Sequence, residues 1–133
     1  MAMNLVVGSK PAKNQADWGV AMDNETRVIQ RLAVDLHCHF LLTAHVDREL
    51  DEATGSISLM ASALGRKMAP QLPKWFSDVV LARREGTTWM WSTAMTGADV
   101  KARNLEWGDK LQPDIAPALE KWKSRGGAIE ENT

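Results

Sequence analysis

The chain contains one cysteine, Cys38, and no tyrosine. A single thiol cannot form a disulfide within the chain, and its solitary presence fits a reducing compartment. No apolar run is long enough to span a bilayer. The opening Met1-Ala2-Met3-Asn4-Leu5-Val6-Val7 lacks the basic start and longer apolar core of a signal peptide. A cytoplasmic protein without a membrane partner is the expectation. Charge of one sign is also lacking. The formal net charge is -1, so there is no bulk attraction to nucleic acid or lipid, and any polyanion site must be a local patch. Internal repeats, low-complexity tracts and a clear domain boundary are absent as well. What is present is an ordinary globular composition, 44% hydrophobic and 25% charged, over 133 residues. That length suits a single domain, residues 1–133, with a modest core. Its end, from Gly126 onward, reads as a loose acidic tail. The six tryptophans are unusual beside zero tyrosines but point to no function.

Hydrophobic periodicity gives the elements. Trp18, Ala21, Met22, Val28, Ile29, Leu32 and Leu36 recur at spacings of three and four, which predicts a long helix over 17–36 with Asp17 as N-cap. Phe40 to Ala44 is a short apolar run ending in polar residues, which predicts a strand buried on both faces. Chemistry in open α/β sheets gathers at the carboxyl ends of strands, where His45, Asp47 and Arg48 would stand. Residues 47–72 read as a long, mixed-charge connection. Pro73 starts a short predicted helix. Val79–Ala82 and Thr88–Thr93 around Arg83-Arg84-Glu85-Gly86 read as an antiparallel hairpin. Lys101 and Arg103 share a face if their segment is extended, which suits either a phosphate grip or a charge-protected sheet edge. Ala116–Trp122 reads as a short helix begun by Pro117 and ended by Gly126-Gly127.

Two tempting motifs fail on spacing. Gly8-Ser9-Lys10 carries one glycine and a following proline, whereas a phosphate loop needs G-x-x-x-x-G-K-[ST] between strand and helix. His37-Cys38-His39 alternates faces in an extended segment, so the three do not converge on one metal, and no second cysteine exists. No metal site is expected there. His45, Asp47, Glu49 and Asp51 are the right residue types for a metal-dependent hydrolase, but their spacing is not specific.

Taken together, several segments resemble a known family. They are Leu42-Thr43-Ala44-His45-Val46-Asp47-Arg48-Glu49, Asp51-Glu52-Ala53-Thr54-Gly55, Gly65-Arg66-Lys67-Met68-Ala69-Pro70-Gln71-Leu72-Pro73 and Phe76-Ser77-Asp78-Val79. Gln15-Ala16-Asp17-Trp18-Gly19, the Lys101-x-Arg103 pair and Pro113-Asp114 belong to the same pattern. In order and spacing they resemble the carboxyl half of phage RecA-like P-loop ATPases, proteins associated with DNA recombination and single-strand annealing. The likeness runs from about residue 12 to about residue 115.

The resemblance implies a fold, a partial RecA-like α/β core. It has an incomplete mixed sheet, a long helix and a C-terminal antiparallel hairpin. It implies that His45, with Thr43 close by, senses the terminal phosphate of ATP. It implies that Arg48, Arg66 and Lys67 lie on a loop contacting single-stranded DNA. Lys101 and Arg103 match, loosely, a pair that reaches a neighbouring subunit's nucleotide and stabilises the transferring phosphoryl group. The complete family protein uses ATP and Mg2+, and its relatives assemble as rings or filaments.

The chain departs from the family in one respect. It contains neither the phosphate loop nor a hydrophobic run ending in the Walker B aspartate. Loop amides and the loop lysine supply most of the phosphate grip. The expectation is therefore an ATPase only when an N-terminal half completes it, and no cofactor for the isolated chain. Truncation, a split enzyme with a separate N-terminal polypeptide, and a non-catalytic remnant binding single-stranded DNA or a protein partner all remain open.

Overall fold

The computed structural model describes residues 15–62 and 69–129. It combines helices with two small antiparallel sheets, so the α/β class and the hairpin stand. The mixed sheet does not. Each sheet has two strands, and the parallel contact among the described residues is a single bridge, Leu59 to Ala98.

Helix α1 spans Gln15–Asp35. Asp17 therefore lies inside its first turn and does not cap it. Ala21 and Ile29, eight residues apart, are buried and mark its inward stripe. Val20, Val28 and Val34 are exposed on other faces. An exposed Arg31–Asp35 pair at 3.4 Å follows the i,i+4 spacing and adds a few tenths of a kcal/mol at most.

The predicted strand at Phe40–Ala44 is not formed. The segment 36–45 is irregular, Leu41 is 70% exposed and Leu42 is 40% exposed. Its composition suits a covered strand, but no strand among the described residues pairs with it. Phe40 alone turns inward, its ring 5.8 Å from that of Phe76.

The expected long connection after residue 46 is instead a hairpin. Strand β1, Val46–Leu50, pairs with β2, Ile57–Ala61, in the register Val46↔Ala61 to Leu50↔Ile57. Its six-residue loop closes on Asp51. The Asp51 carboxylate accepts the Ala53 N–H at 2.9 Å, and the Asp51 carbonyl accepts the Gly55 N–H at 2.7 Å. Gly55 sits at φ +70°, a conformation that favours glycine.

A 3-10 helix, Ala69–Trp75, follows, with Pro73 inside it and not at its start. Ala69 and Leu72 are buried. Leu72 meets Ile29 of α1, and Ala61, Trp75 and Phe76 pack around them. This is the small core from which the rest is hung.

Strands β3, Leu81–Glu85, and β4, Thr88–Ser92, form the predicted hairpin, with the first strand two residues later than its apolar run suggests. Gly86, at φ +59°, makes the turn. Helix α2, Ala116–Ser124, begins with Pro117 in its first turn and an Asp114 carboxylate accepting the Ala116 N–H at 2.9 Å.

The segment 97–111 stitches these parts together. Gly97 and Asp99 bond to Leu59 of β2. Lys101 forms an antiparallel bridge with Val79, and Leu111 forms one with Trp91 of β4. Fully buried Thr93 anchors the far end: its hydroxyl donates to the Glu106 carbonyl at 2.6 Å and accepts the Gly108 N–H at 3.0 Å.

Candidate functional site

Three of the predicted site residues sit on the N-terminal side of the molecule. Thr43 and His45 lie in the irregular segment before β1, and both are exposed. The His45 carbonyl accepts the Ser62 N–H at 2.6 Å, which fixes the backbone where the strand begins. His45 is also one of the residues lining an apolar groove of about 180 Å³. Phe40, Leu42, Met60, Phe76 and Val80 form much of that groove, and Asp78 lies in its wall. Thr43 does not line it. Arg48 is exposed in the middle of β1 opposite Leu59. Arg66 and Lys67, predicted to contact DNA, lie outside the described residues.

Lys101 and Arg103 are put to different work. The Lys101 ammonium donates to the Phe76 carbonyl at 2.7 Å and the Pro73 carbonyl at 3.2 Å. It ties down carbonyls at and just beyond the end of the 3-10 helix, where the Pro73 carbonyl otherwise accepts only a long 3.3 Å bond from the Phe76 N–H. Arg103 is exposed, and its backbone N–H donates to Asp78 Oδ1 at 2.8 Å.

Asp78 is the residue that sequence reasoning missed. Its Oδ1 accepts three successive backbone N–H groups, from Arg103, Asn104 and Leu105, at 2.8, 2.8 and 2.9 Å. Its Oδ2 accepts the Asn104 side-chain amide at 3.0 Å. Successive N–H groups converging on one point form an anion-binding nest, and here the anion is the protein's own carboxylate. Burial raises the Asp78 pKa, but the hydrogen bonds from Leu105, Asn104 and Arg103 outweigh it, and the carboxyl titrates below its ordinary value of 3.8. Asp78 thus joins the two regions. It lines the groove beside His45 and holds the backbone that carries Arg103.

Beyond Arg103 lies a second, polar cleft of about 390 Å³. Ser77, Arg103, Asn104, Trp122, Arg125 and Gly126-Gly127 line it. The Arg125 guanidinium donates to the Arg103 carbonyl at 3.0 Å. Trp122 is half-buried, with the His39 ring edge-on at 4.8 Å and Gly127 against its indole. Arg125 and Trp122 had no sequence signal beyond the Gly126-Gly127 break that follows them.

No group of three His, Cys, Asp or Glu is placed to hold a metal among the described residues. No helix among them is long and apolar enough to cross a membrane. Comparison with known proteins adds no relative: no family model matches the chain, and no curated protein or solved structure is significantly similar to it.

Proposed function

We propose that this chain is the carboxyl-side portion of a RecA-like P-loop ATPase of the phage type acting in DNA recombination or replication. In this reading His45 and Thr43 sense the nucleotide's terminal phosphate. Arg48, Arg66 and Lys67 follow single-stranded DNA, and Arg103, with Lys101 behind it, reaches a neighbouring site. The phosphate loop, the Walker B strand and the bound ATP and Mg2+ belong to an N-terminal half.

One observation carries the proposal. Phe40–Ala44 has the composition of an interior strand, yet Leu41 and Leu42 are exposed and the segment pairs with no strand among the described residues, beside an open apolar groove. Burying such side chains fully is worth about 1.5–3 kcal/mol each, so leaving two leucines largely or partly in water is expensive. An interior strand deprived of its sheet neighbours has these properties.

The test is reconstitution. The chain alone should show no micromolar ATP binding by titration calorimetry. Combined with an N-terminal half carrying phosphate loop and Walker B strand, it should hydrolyse ATP. His45→Ala should abolish turnover while circular dichroism stays unchanged. Micromolar ATP affinity in the isolated chain, or wild-type turnover in His45→Ala, would refute the reading.

A second reading is a non-catalytic module that binds single-stranded DNA. Trp89, 58% exposed, lies directly opposite Arg84 on the β3–β4 hairpin, an arrangement that suits base stacking beside a phosphate contact. It predicts salt-sensitive oligonucleotide binding that ATP does not alter.

A further inference from the structure

The cleft between the Asp78-bound segment and the end of α2 is unassigned by either reading as a whole. Arg103 and Arg125 are 22 residues apart in the chain, yet their positions converge on it. Among the described residues the lining comprises two arginines, a serine, an asparagine, a tryptophan and two glycines, and no acidic residue. Among the described residues neither arginine forms an ion pair. The nearest carboxylate by connection, Asp78, has both oxygens occupied by Arg103, Asn104 and Leu105 N–H groups and the Asn104 amide.

Two unpaired like charges facing one concavity repel each other unless an anion joins them. The Arg103 backbone and the Arg125 side chain are also held in place, the first by Asp78 and the second by the Arg103 carbonyl. Gly126, at φ +90°, lets the chain turn back, and Gly127 lies flat against Trp122. The carbonyls at the end of α2, which would repel an anion, already accept N–H groups: the helix-capping N–H bonds reach Lys121, Trp122 and Lys123. Guanidinium forks match phosphate oxygens, and the Arg125 fork, already held on the Arg103 carbonyl, loses little entropy on binding.

We propose that this cleft binds a phosphate group, with Arg103 and Arg125 as its cationic jaws, Ser77 as a further donor and Trp122 as the wall. The phosphate belongs either to a free nucleotide or to the backbone of a single strand, and the chemistry recognised is the same. The assignment rests on the cleft itself and stands or falls apart from ATP hydrolysis in a reconstituted enzyme.

The test is a binding titration of the full chain with three probes: ATP, a fluorescein-labelled oligothymidylate and inorganic phosphate. At least one should bind, ATP if at all with an affinity weaker than micromolar, and binding should weaken as salt rises. Arg125→Gln and Arg103→Gln should each weaken it roughly tenfold, the effect of losing one charge-assisted contact. Arg31→Gln, an equal charge change at an exposed site on α1, should leave it within about twofold. Oligothymidylate binding lost in Arg125→Gln with ATP indifferent assigns the cleft to a strand; the reverse assigns it to a free nucleotide. Arg103, whose side chain makes no fold contact among the described residues, provides the second variant should Arg125→Gln misfold. Binding by no probe, unchanged binding in both arginine variants, or an equal loss in Arg31→Gln would overturn the proposal.

Discussion

Asp78 holds Asn104 from both ends of one carboxylate: Oδ1 accepts its backbone N–H at 2.8 Å, and Oδ2 accepts its side-chain N–H at 3.0 Å. The two residues are 26 positions apart. With the neighbouring bonds from Arg103 and Leu105, this contact fixes a turn that has no regular secondary structure of its own. Buried Leu105 follows from it, because the turn directs that side chain inward. The phosphate cleft and the groove beside His45 share this one post.

Replacing Asp78 should therefore be costly in proportion to its charge. In Asp78→Asn the amide nitrogen would face the Asn104 side-chain donor, and the three backbone N–H groups would lose a charged acceptor. A loss of about 1–3 kcal/mol is expected, read from urea unfolding. The same substitution should change the acid limb. The folded-state pKa lies below 3.8, so the folded chain binds this proton more weakly than the unfolded chain. The stabilisation is complete above 3.8 and is lost as pH falls through that value and on through the folded pKa. Wild type should thus lose stability more steeply than Asp78→Asn across that window. Parallel acid limbs would count against the clamp.

Thr93 offers a second check on the same segment, at its opposite end. Its hydroxyl is fully buried, donates to Glu106 and accepts from Gly108. Thr93→Val keeps the shape and removes the hydroxyl, leaving the Glu106 carbonyl and the Gly108 N–H without their part-buried bonds to it. About 1–3 kcal/mol should be lost. Thr93→Ser, which keeps the hydroxyl, should lose less, and the difference between the two variants in urea measures the polar part alone.

The sequence made some of these elements readable and hid others for physical reasons. Helix α1 and the β3–β4 hairpin were legible because periodicity and a glycine turn are local signals. The β1–β2 hairpin was not, because Val46-Asp47-Arg48-Glu49-Leu50 is charged and exposed and lacks strand composition. Its formation depends on Leu59, Met60 and Ala61 finding cover, which is a tertiary matter. Phe40–Ala44 failed in the opposite direction. Its composition is right for a covered strand, but no strand among the described residues pairs with it. Of the candidate site, His45 was singled out by the resemblance, and the structure places it at the apolar groove. The roles of Asp78 and Arg125 were not legible, since an anion nest and a convergent pair are assembled from positions more than twenty residues apart.

Lys101 and Arg103 differ in which part of the residue serves the fold. Its ammonium donates to two carbonyls at the end of the 3-10 helix. Lys101→Met keeps the length of the side chain and should destabilise by about 1–2 kcal/mol, with Trp75 fluorescence reporting the loosened helix end. Arg103→Gln should leave the melting temperature within a degree or two, because only its backbone serves the fold. Equal stability losses in both variants would remove the distinction.

Gly127 should resist a side chain for a reason unrelated to its backbone. A Cβ there would overlap the Trp122 indole, while the backbone is outside the left-handed region reserved for glycine. Gly55 is the converse: its φ is +70°, and a Cβ would meet nothing within 4 Å. Gly127→Ala should cost about 1–3 kcal/mol by displacing the ring, and Gly55→Ala about 1 kcal/mol by backbone strain. The two can be told apart by a double-mutant cycle. In a Trp122→Leu background the Gly127→Ala penalty should largely vanish, whereas the Gly55→Ala penalty should persist. A Gly127→Ala cost that survives removal of the indole would place its origin in the backbone, and the wall of the phosphate cleft would then owe nothing to the packing of Trp122 on Gly127.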